Sequence, residues 1–300
     1  MRWEHPEPAK TAATKLVESY LTMAQERDKK PMRREVAKTA GYILRKYLVD
    51  MEIQDVTQIT RGSIKEWVTM LKNKEDASKD TVHKYARTLK TFVKYLVSTK
   101  LVGKNLLDDF DVPEPGAVGR KNWLKVKEVQ RVIGEVKDDD TLRFVLFSGF
   151  HAGLRKNEIA NAKVGWFDLE AKLVHIQNDP KSGFILKDKD NRSVPLTNNF
   201  SQFLHGFLAN RKRNDYAIAP AKSQGTWRYR YDFSRAWKTH MKRCGVTCTI
   251  HDSRRSFASN LVSAGESIYI VARWLGDGVQ VVERSYGHLA PSAGNINRLA

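Results

Sequence analysis

A proline- and glycine-rich stretch between Asp108 and Arg120 constrains the fold of this chain more than any other segment. It holds two prolines, Pro113 and Pro115, and two glycines, Gly116 and Gly119. These residues interrupt helical periodicity, because proline lacks a backbone donor and glycine weakens helices. At 300 residues the chain exceeds the usual size of one core. We therefore predict a first domain at residues 1–112, a linker at 113–121 and a second domain at 122–300.

The segment before this stretch predicts a small bundle of four amphipathic helices. Its apolar residues recur at the three- and four-residue spacing that places side chains on one helix face. They include Leu16, Tyr20, Ala24, Ala40, Ile43, Leu44, Tyr47, Ile64, Trp67, Leu71, Val82, Leu89, Phe92 and Leu96. Ser78 is expected to be the N-cap of the fourth helix.

The second domain combines helices with short strand-like runs. Residues 172–177, 184–187 and 192–196 are rich in residues that favour strands, and a turn-like segment separates the last two. This pattern predicts a small antiparallel sheet with a lysine-rich hairpin. Helices are predicted to resume at 199–211 and 226–243. The chain is thus expected to be mainly α with a small antiparallel β-sheet, an α+β fold.

The charge balance favours a polyanionic partner. The chain has 52 Lys and Arg against 34 Asp and Glu, a formal net charge of +18, so nucleic acid is the first class of partner to consider. Five basic residues of the fourth helix are candidates for DNA contact: Lys79, Lys84, Arg87, Lys90 and Lys94. They can equally form an ordinary solvated surface, and phosphate contacts would not specify a target sequence.

The two cysteines and the hydropathy pattern indicate a cytoplasmic protein associated with the nucleoid. Cys244 and Cys248 have no second ligand pair nearby, so we expect neither a zinc site nor a disulfide framework. No run of about 18 apolar residues occurs that could cross a membrane, and the N-terminus has no apolar targeting segment. No metal and no cofactor is expected.

Several residues in the second domain have the chemistry needed to attack a phosphodiester without a metal ion. His251 and Arg254 are three residues apart on a predicted helix and share one face, and Tyr286 follows in a short helical segment. Arg155 is expected at the start of a helix, where free backbone N–H groups favour an anion. Arg155 and Glu158 could also form an ordinary exposed ion pair.

Taken together, these segments resemble the catalytic domain of tyrosine recombinases, the phage integrase family. Four boxes occur in the order of that family: Gly153-Leu-Arg155-x-x-Glu158, a lysine before Arg192-x-Val-Pro-Leu196, His251-x-x-Arg254, and Leu275-Gly276 leading to Tyr286. The resemblance covers about residues 122 to 290. The N-terminal bundle is more loosely similar to the core-binding domain of the family.

The resemblance implies that Arg155, His251, Arg254 and Tyr286 are catalytic, with Tyr286 as the nucleophile. The family also carries a catalytic lysine in the hairpin. Its position here is left among three candidates, with Lys187 preferred on its spacing to the second box, Lys181 as the runner-up and Lys189 third.

One position departs from the family. Asp277 stands after Leu-Gly, where the family usually has His or sometimes Trp. An ionised carboxylate would repel a phosphate, whereas imidazole or indole can donate to it. Asp277 is therefore expected to point away, to pair with a cation, or to take the place of the donor through a changed local geometry. His288 could supply a donor instead.

The implied activity is site-specific recombination of DNA through a 3′-phosphotyrosyl intermediate, without metal or ATP. The implied partners are double-stranded DNA with paired sites and a homo-tetramer of this chain, with an accessory DNA-bending protein as a further partner. The alternatives are a type IB topoisomerase-like enzyme and a non-catalytic DNA-binding protein on the same fold. A metal nuclease is a third alternative. The sequence argues against it, because it lacks a cluster of acidic and histidine ligands at suitable spacing.

Overall fold

In a computed structural model of the chain, the described residues are 12–28, 31–74, 77–116, 123–186, 190–218 and 233–291. The chain divides into two compact units, residues 1–120 and 121–300. Each unit has a separate hydrophobic core. Within the described residues, no helix combines the length and the hydropathy needed to cross a membrane.

The described part of the first unit contains four α-helices. They are α1 (Ala12–Gln25), α2 (Arg34–Asp50), α3 (Arg61–Asn73) and α4 (Lys79–Ser98). Ser78 is the N-cap of α4, as predicted, and its hydroxyl accepts a hydrogen bond from the Thr81 N–H at 3.2 Å. The bundle core includes Tyr47 and Trp67, which are both fully buried. Their rings pack edge to face, with 5.1 Å between the ring centroids.

Residues at the start of the expected linker lie along α4. The ring Nδ1 of His83 is 2.8 Å from the carbonyl oxygen of Pro113, and the Gly116 N–H donates to the Asp80 carboxylate at 3.0 Å. These bonds attach residues 113–116 to the first unit. Residues 117–122, which include the rest of the expected linker, lie outside the described residues.

Eight α-helices are described in the second unit. They are α5 (Val126–Gly134), α6 (Asp140–Ala152), α7 (Lys156–Asn161), α8 (Asn198–Phe207), α9 (Ser234–Arg243), α10 (Ile250–Ser263), α11 (Ile268–Leu275) and α12 (Val279–Tyr286). The second half of the helix predicted at 226–243 corresponds to α9. Residues 219–232 lie outside the described residues.

A three-stranded antiparallel sheet is described in the same unit. Its strands are β1 (Phe167–Asp168), β2 (Leu173–Ile176) and β3 (Arg192–Pro195), in the order β1-β2-β3. Val174 of β2 pairs with Val194 of β3, and both are fully buried, as the period of two residues in a strand requires. The predicted fold class, mainly α with a small antiparallel sheet, is confirmed.

The strand predicted at 184–187 is wrong for the residues that are described. Phe184 forms only an isolated bridge with Asp179, and the Leu186 N–H donates to the side-chain oxygen of Asn178 at 2.7 Å. Because a side chain takes this backbone donor, the segment does not pair as a strand. The sheet is completed by a strand that was not predicted, β1. Its two residues are too few to show an alternating pattern in the sequence.

Two glycines in α6 and at its end allow α10 to pack closely. A Cβ on Gly149 would lie 2.2 Å from the hydroxyl oxygen and 3.0 Å from the Cβ of Ser253, so a larger residue there requires the serine side chain or α10 to shift. Gly153 ends α6 with a φ of 62°, a left-handed conformation that favours glycine. The close turn predicted at Gly153 is confirmed, and it directs the chain into α7.

Candidate active site

Arg155 is the N-cap of α7, so the arginine lies at the helix start as predicted. The Glu158 carboxylate accepts from the Arg155 backbone N–H at 2.8 Å and from the Arg155 Nη1 at 3.0 Å. Glu158 is only 2% exposed. The reading of this pair as an ordinary exposed ion pair is therefore wrong.

Arg192, the first residue of β3, is the second partner of Glu158. Its Nη1 and Nη2 donate to the two carboxylate oxygens at 3.0 and 2.6 Å, and its Nε donates to the Trp274 carbonyl at 2.8 Å. Burial raises the pKa of Glu158, but the bonds and the charge of Arg192 outweigh burial and lower it. Sequence reasoning quoted Arg192 only as part of a box and missed this role.

Helix α10 provides His251 and Arg254, one turn apart. Thr249 and Asp252 form a reciprocal capping box at its start. His251 is exposed, whereas Arg254 is 3% exposed. The Arg254 guanidinium donates to the carbonyl of Gly153 at 2.6 Å and to that of Leu275 at 2.5 Å. Carbonyl acceptors from the ends of α6 and α11 thus fix this buried charge.

Asp277 joins the two predicted catalytic arginines. Its Oδ1 accepts from the Arg155 Nη2 at 2.6 Å and its Oδ2 from the Arg254 Nη2 at 2.7 Å. Of the three arrangements expected for Asp277, the structure has the one in which it pairs with a cation. Burial raises the pKa of Asp277, but Arg254 and Arg155 lower it below its usual value. Asp277 is therefore ionised at neutral pH.

Tyr286 is the last residue of α12 and is half-buried. Burial raises the pKa of its phenol above the ordinary value of 10.0, the charges of Arg255 and Arg254 lower it, and Asp277 raises it. The net shift is upward. The phenol is therefore protonated at neutral pH and needs a base to become a nucleophile.

His251 has the opposite shift. Partial desolvation of the ring lowers its pKa from the ordinary value of 6.5, Arg255 and Arg254 lower it further, and Asp252 and Asp277 raise it. The net shift is downward, so the imidazole is neutral at neutral pH and can accept a proton. The charges of Arg254 and Asp277 contribute to the pKa shifts of both His251 and Tyr286, and α10, which carries His251 and Arg254, packs against α12, which ends at Tyr286.

Two of the three candidate lysines lie outside the described residues, and the third, Lys181, is exposed, as is His288. Lys187 and Lys189 are among the residues that are not described. Lys181 is exposed in a 3₁₀ turn at Pro180–Ser182. His288 is exposed in a 3₁₀ turn, Gly287–Leu289, directly after α12.

Neither the cysteines nor the acidic side chains form a metal site in the described part of the chain. Within it, no group of three or more His, Cys, Asp or Glu side chains is placed to hold a metal ion. Cys244 and Cys248 are buried free thiols. Burial raises the pKa of Cys244 to about 11 and that of Cys248 to about 12, which makes both thiols poor nucleophiles.

The basic residues of α4 differ in their surroundings. Lys79, Lys84, Arg87 and Lys94 are exposed. Lys90 is partly buried. Its Nζ donates to the Phe110 carbonyl at 2.5 Å and lies 5.6 Å from the centroid of the Phe110 ring. Lys90 therefore has an internal partner, which sets it apart from the other four candidates for DNA contact.

A solved integrase and a solved site-specific recombinase share this fold. The Tn1549 transposon integrase, in complex with transposon right end DNA, matches with a TM-score of 0.70 and 15% identity over 96% of this chain and 97% of that chain. The XerH site-specific recombinase, bound to a palindromic difH substrate in a post-cleavage complex, matches with a TM-score of 0.68 and 17% identity over 95% of this chain and 82% of that one. At these identities the likeness concerns the fold.

The sequence comparisons define the family. The model of the phage integrase family matches residues 122–292, more than half of the chain, so this chain belongs to the phage integrase family, as its sequence boxes predicted. The integrase of Salmonella phage P22 is 29% identical over 192 residues, which cover 60% of this chain and 47% of that protein. The match thus spans about half the length of that relative. The tyrosine recombinase XerA of Saccharolobus solfataricus is 23% identical over 248 residues, 80% of this chain and 78% of that protein.

Proposed function

We propose that this protein is a site-specific recombinase that breaks and rejoins DNA strands through a 3′-phosphotyrosyl bond at Tyr286. One observation carries the proposal: Asp277 joins Arg155 to Arg254 by hydrogen bonds of 2.6 and 2.7 Å, and α10, which carries His251 and Arg254, packs against α12, which ends at Tyr286. This arrangement supports a site composed of a nucleophile, a base and two guanidinium groups. These are the groups that phosphodiester attack requires.

In the proposed cleavage step, the Tyr286 oxygen forms a bond to the scissile phosphorus and the bond to the 5′-oxygen of the next nucleotide breaks. The phenol proton passes to His251, whose lowered pKa keeps the imidazole neutral and able to accept it. The departing 5′-oxygen takes a proton from a lysine, for which Lys187 remains our candidate.

The two arginines are proposed to hold the non-bridging oxygens as charge develops on them. Planar guanidinium groups suit this task, because they donate two parallel hydrogen bonds to a phosphate. Arg254 is anchored by two backbone carbonyls and Arg155 by Glu158. Groups that are already oriented need little reorganisation during the reaction.

Rejoining is the reverse reaction with a 5′-hydroxyl of another strand. Because the phosphotyrosyl bond conserves the energy of the phosphodiester, the proposed cycle needs neither ATP nor a metal ion. Exchange between two sites implies double-stranded DNA with paired recombination sites and a homo-tetramer, with an accessory DNA-bending protein as a further partner. We place this activity in the cytoplasm, on the nucleoid.

A non-catalytic DNA-binding protein is the second candidate. The observation that favours it is the Asp277 carboxylate between Arg155 and Arg254, at a position where the family usually has a donor to phosphate. Such a protein would bind DNA through the same fold without forming a covalent bond. One experiment separates the two functions.

The experiment measures covalent protein–DNA adducts on denaturing gels. Nicked duplexes that tile the DNA on either side of the gene are incubated with the wild-type protein and with Tyr286→Phe. We expect an adduct with wild type and none with Tyr286→Phe, because the substitution removes the attacking oxygen. Tyr269→Phe is the matched control, since Tyr269 is 68% exposed on α11, and it should form the adduct as wild type does. An adduct of equal yield in Tyr286→Phe would contradict the assignment.

A further inference from the structure

The Asp277 carboxylate occupies a position between two guanidinium groups. Each of its oxygens accepts from a different arginine, Oδ1 from Arg155 at 2.6 Å and Oδ2 from Arg254 at 2.7 Å. A carboxylate and a phosphodiester each share one negative charge between two oxygens. Guanidinium groups bind both through the same kind of charge-assisted hydrogen bond.

Arg155 also donates to the buried Glu158 carboxylate at 3.0 Å, and both arginines donate to backbone carbonyls. Arg155 donates to the Gly276 carbonyl at 3.1 Å, and Arg254 donates to the Gly153 and Leu275 carbonyls. Backbone carbonyls at helix ends cannot leave without unfolding the helices. The Asp277 side chain differs from them, because it can swing away by rotation about its own bonds.

The position of Asp277 is open to an external ligand. Its side chain is 28% exposed, whereas that of Arg254 is 4% exposed, so the carboxylate covers the buried arginine. Asp277 and Arg155 both line an open cavity of ≈ 1020 Å³. The Asp277 carboxylate is thus the partner of Arg254 that an anion in this cavity can contact.

We propose that Asp277 is an internal ligand of the phosphate site, which a DNA phosphate must displace before it can bind both arginines. The inference rests on the proposed function of Arg155 and Arg254 as phosphate ligands. An ionised carboxylate and a phosphate cannot share one place, because like charges at contact distance repel. Asp277 thereby sets how strongly an incoming phosphate must bind.

The test is the affinity of the protein for inorganic phosphate at low ionic strength, measured by isothermal titration calorimetry. Asp277→Asn keeps the shape of the side chain and removes its charge. We expect this variant to bind phosphate about tenfold more tightly than wild type or better, the scale set by losing a competing charged hydrogen bond. Asp277→His removes the carboxylate in a second way and is expected to give a gain of the same direction, which covers the case in which the Asn variant does not fold.

Glu283→Gln is the matched control. Glu283 is an exposed residue of α12, and its substitution changes the net charge by the same amount as Asp277→Asn. We expect its phosphate affinity to equal that of wild type. The gain should disappear when Arg155→Gln is added to Asp277→Asn, because the two-arginine site is then incomplete.

Phosphate affinities in Asp277→Asn and Asp277→His that equal the wild-type value would overturn the inference. So would a gain that persists without Arg155, or one that Glu283→Gln reproduces. Phosphate binding does not require Tyr286 to break a bond. If the Asp277 variants gain phosphate affinity but the wild-type protein forms no covalent DNA adduct, the inference stands and the proposed recombination fails. If the adduct forms but the variants gain no affinity, the proposed recombination stands and the inference fails.

Discussion

Two carboxylates determine the charge of the candidate site. Burial lowers the pKa of Arg254, and the nearby charge of Arg155 lowers it further, while Asp277 and Glu158 raise it. Two guanidinium groups at close range destabilise each other, and a buried charge without a partner is costly. Glu158 and Asp277 therefore make it possible to keep both arginines ionised in a folded protein without DNA.

The pH dependence of cleavage should reveal His251. Its pKa is lowered, so the imidazole is the competent neutral base at neutral pH and becomes protonated only in acid. We expect the single-turnover rate of adduct formation to hold down to about pH 6.5 and to fall at lower pH by up to about tenfold per unit. Quenched reactions on the nicked substrate between pH 5 and 8 measure this profile.

His251→Gln should remove the acid limb together with most of the rate, since glutamine cannot accept the proton. His205→Gln, at an exposed position of α8, should leave the profile as it is in wild type. A midpoint at or above about pH 7 in wild type would contradict a lowered pKa.

At the scale of elements, Glu158 ties three of them together. It lies in α7, binds Arg192 of β3 through two hydrogen bonds, and Arg192 in turn binds the Trp274 carbonyl of α11. Because both side chains are nearly fully buried, with 2% and 6% exposed, removal of one partner leaves an uncompensated charge in the interior.

Glu158→Gln is expected to lower the free energy of unfolding by about 3 kcal/mol, the scale of a broken buried ion pair. Urea denaturation followed by circular dichroism measures the change. Glu170→Gln is the control, because Glu170 is exposed, and its effect should stay within about 0.5 kcal/mol. A loss of similar size in both variants would show that burial of Glu158 is not the cause.

The helices and their caps could be predicted because their signals are local. The capping hydroxyl of Ser78 and the left-handed turn at Gly153 each depend on neighbours within a few residues. Local signals could not show that residues 184–187 do not form a strand, because the Leu186 N–H donates to the side chain of Asn178, which lies outside the segment. A pattern of alternating apolar residues does not reveal such a competitor.

The same limit applies to the site. The family boxes indicated Arg155, Arg254, His251 and Tyr286, but left the arrangement of Asp277 open. Its partners are 122 and 23 residues away along the chain, and no local rule decides which of two distant arginines a carboxylate meets. Arg192 was missed as a partner of Glu158 for the same reason, at a separation of 34 residues.

At the scale of the whole molecule, the net charge of +18 predicts DNA binding that weakens steeply with salt. On α4, Lys84, Arg87 and Lys94 are exposed and follow one another at three- and seven-residue spacing, which places them on one helix face. Replacing all three by Ala should reduce the slope of log affinity against log salt by about 2 to 3, if each neutralises one phosphate. Fluorescence anisotropy with a random-sequence duplex measures the slope.

Lys90→Met serves as the control for this stretch of α4. Lys90 already donates to the Phe110 carbonyl, so we expect its replacement to leave the salt slope as in wild type. An unchanged slope in the triple variant, or an equal reduction in Lys90→Met, would contradict the assignment of these exposed residues to DNA contact.

The contact between Gly149 and Ser253 has a consequence for how this site can evolve. Ser253 lies between His251 and Arg254 in α10, and a Cβ on Gly149 would collide with its hydroxyl. With a larger residue at position 149, either the Ser253 hydroxyl must leave its hydrogen bond to the Ile250 carbonyl or the first turn of α10, which carries His251 and Arg254, must shift. The arrangement of the base and the guanidinium thus depends on a residue that carries no reactive group.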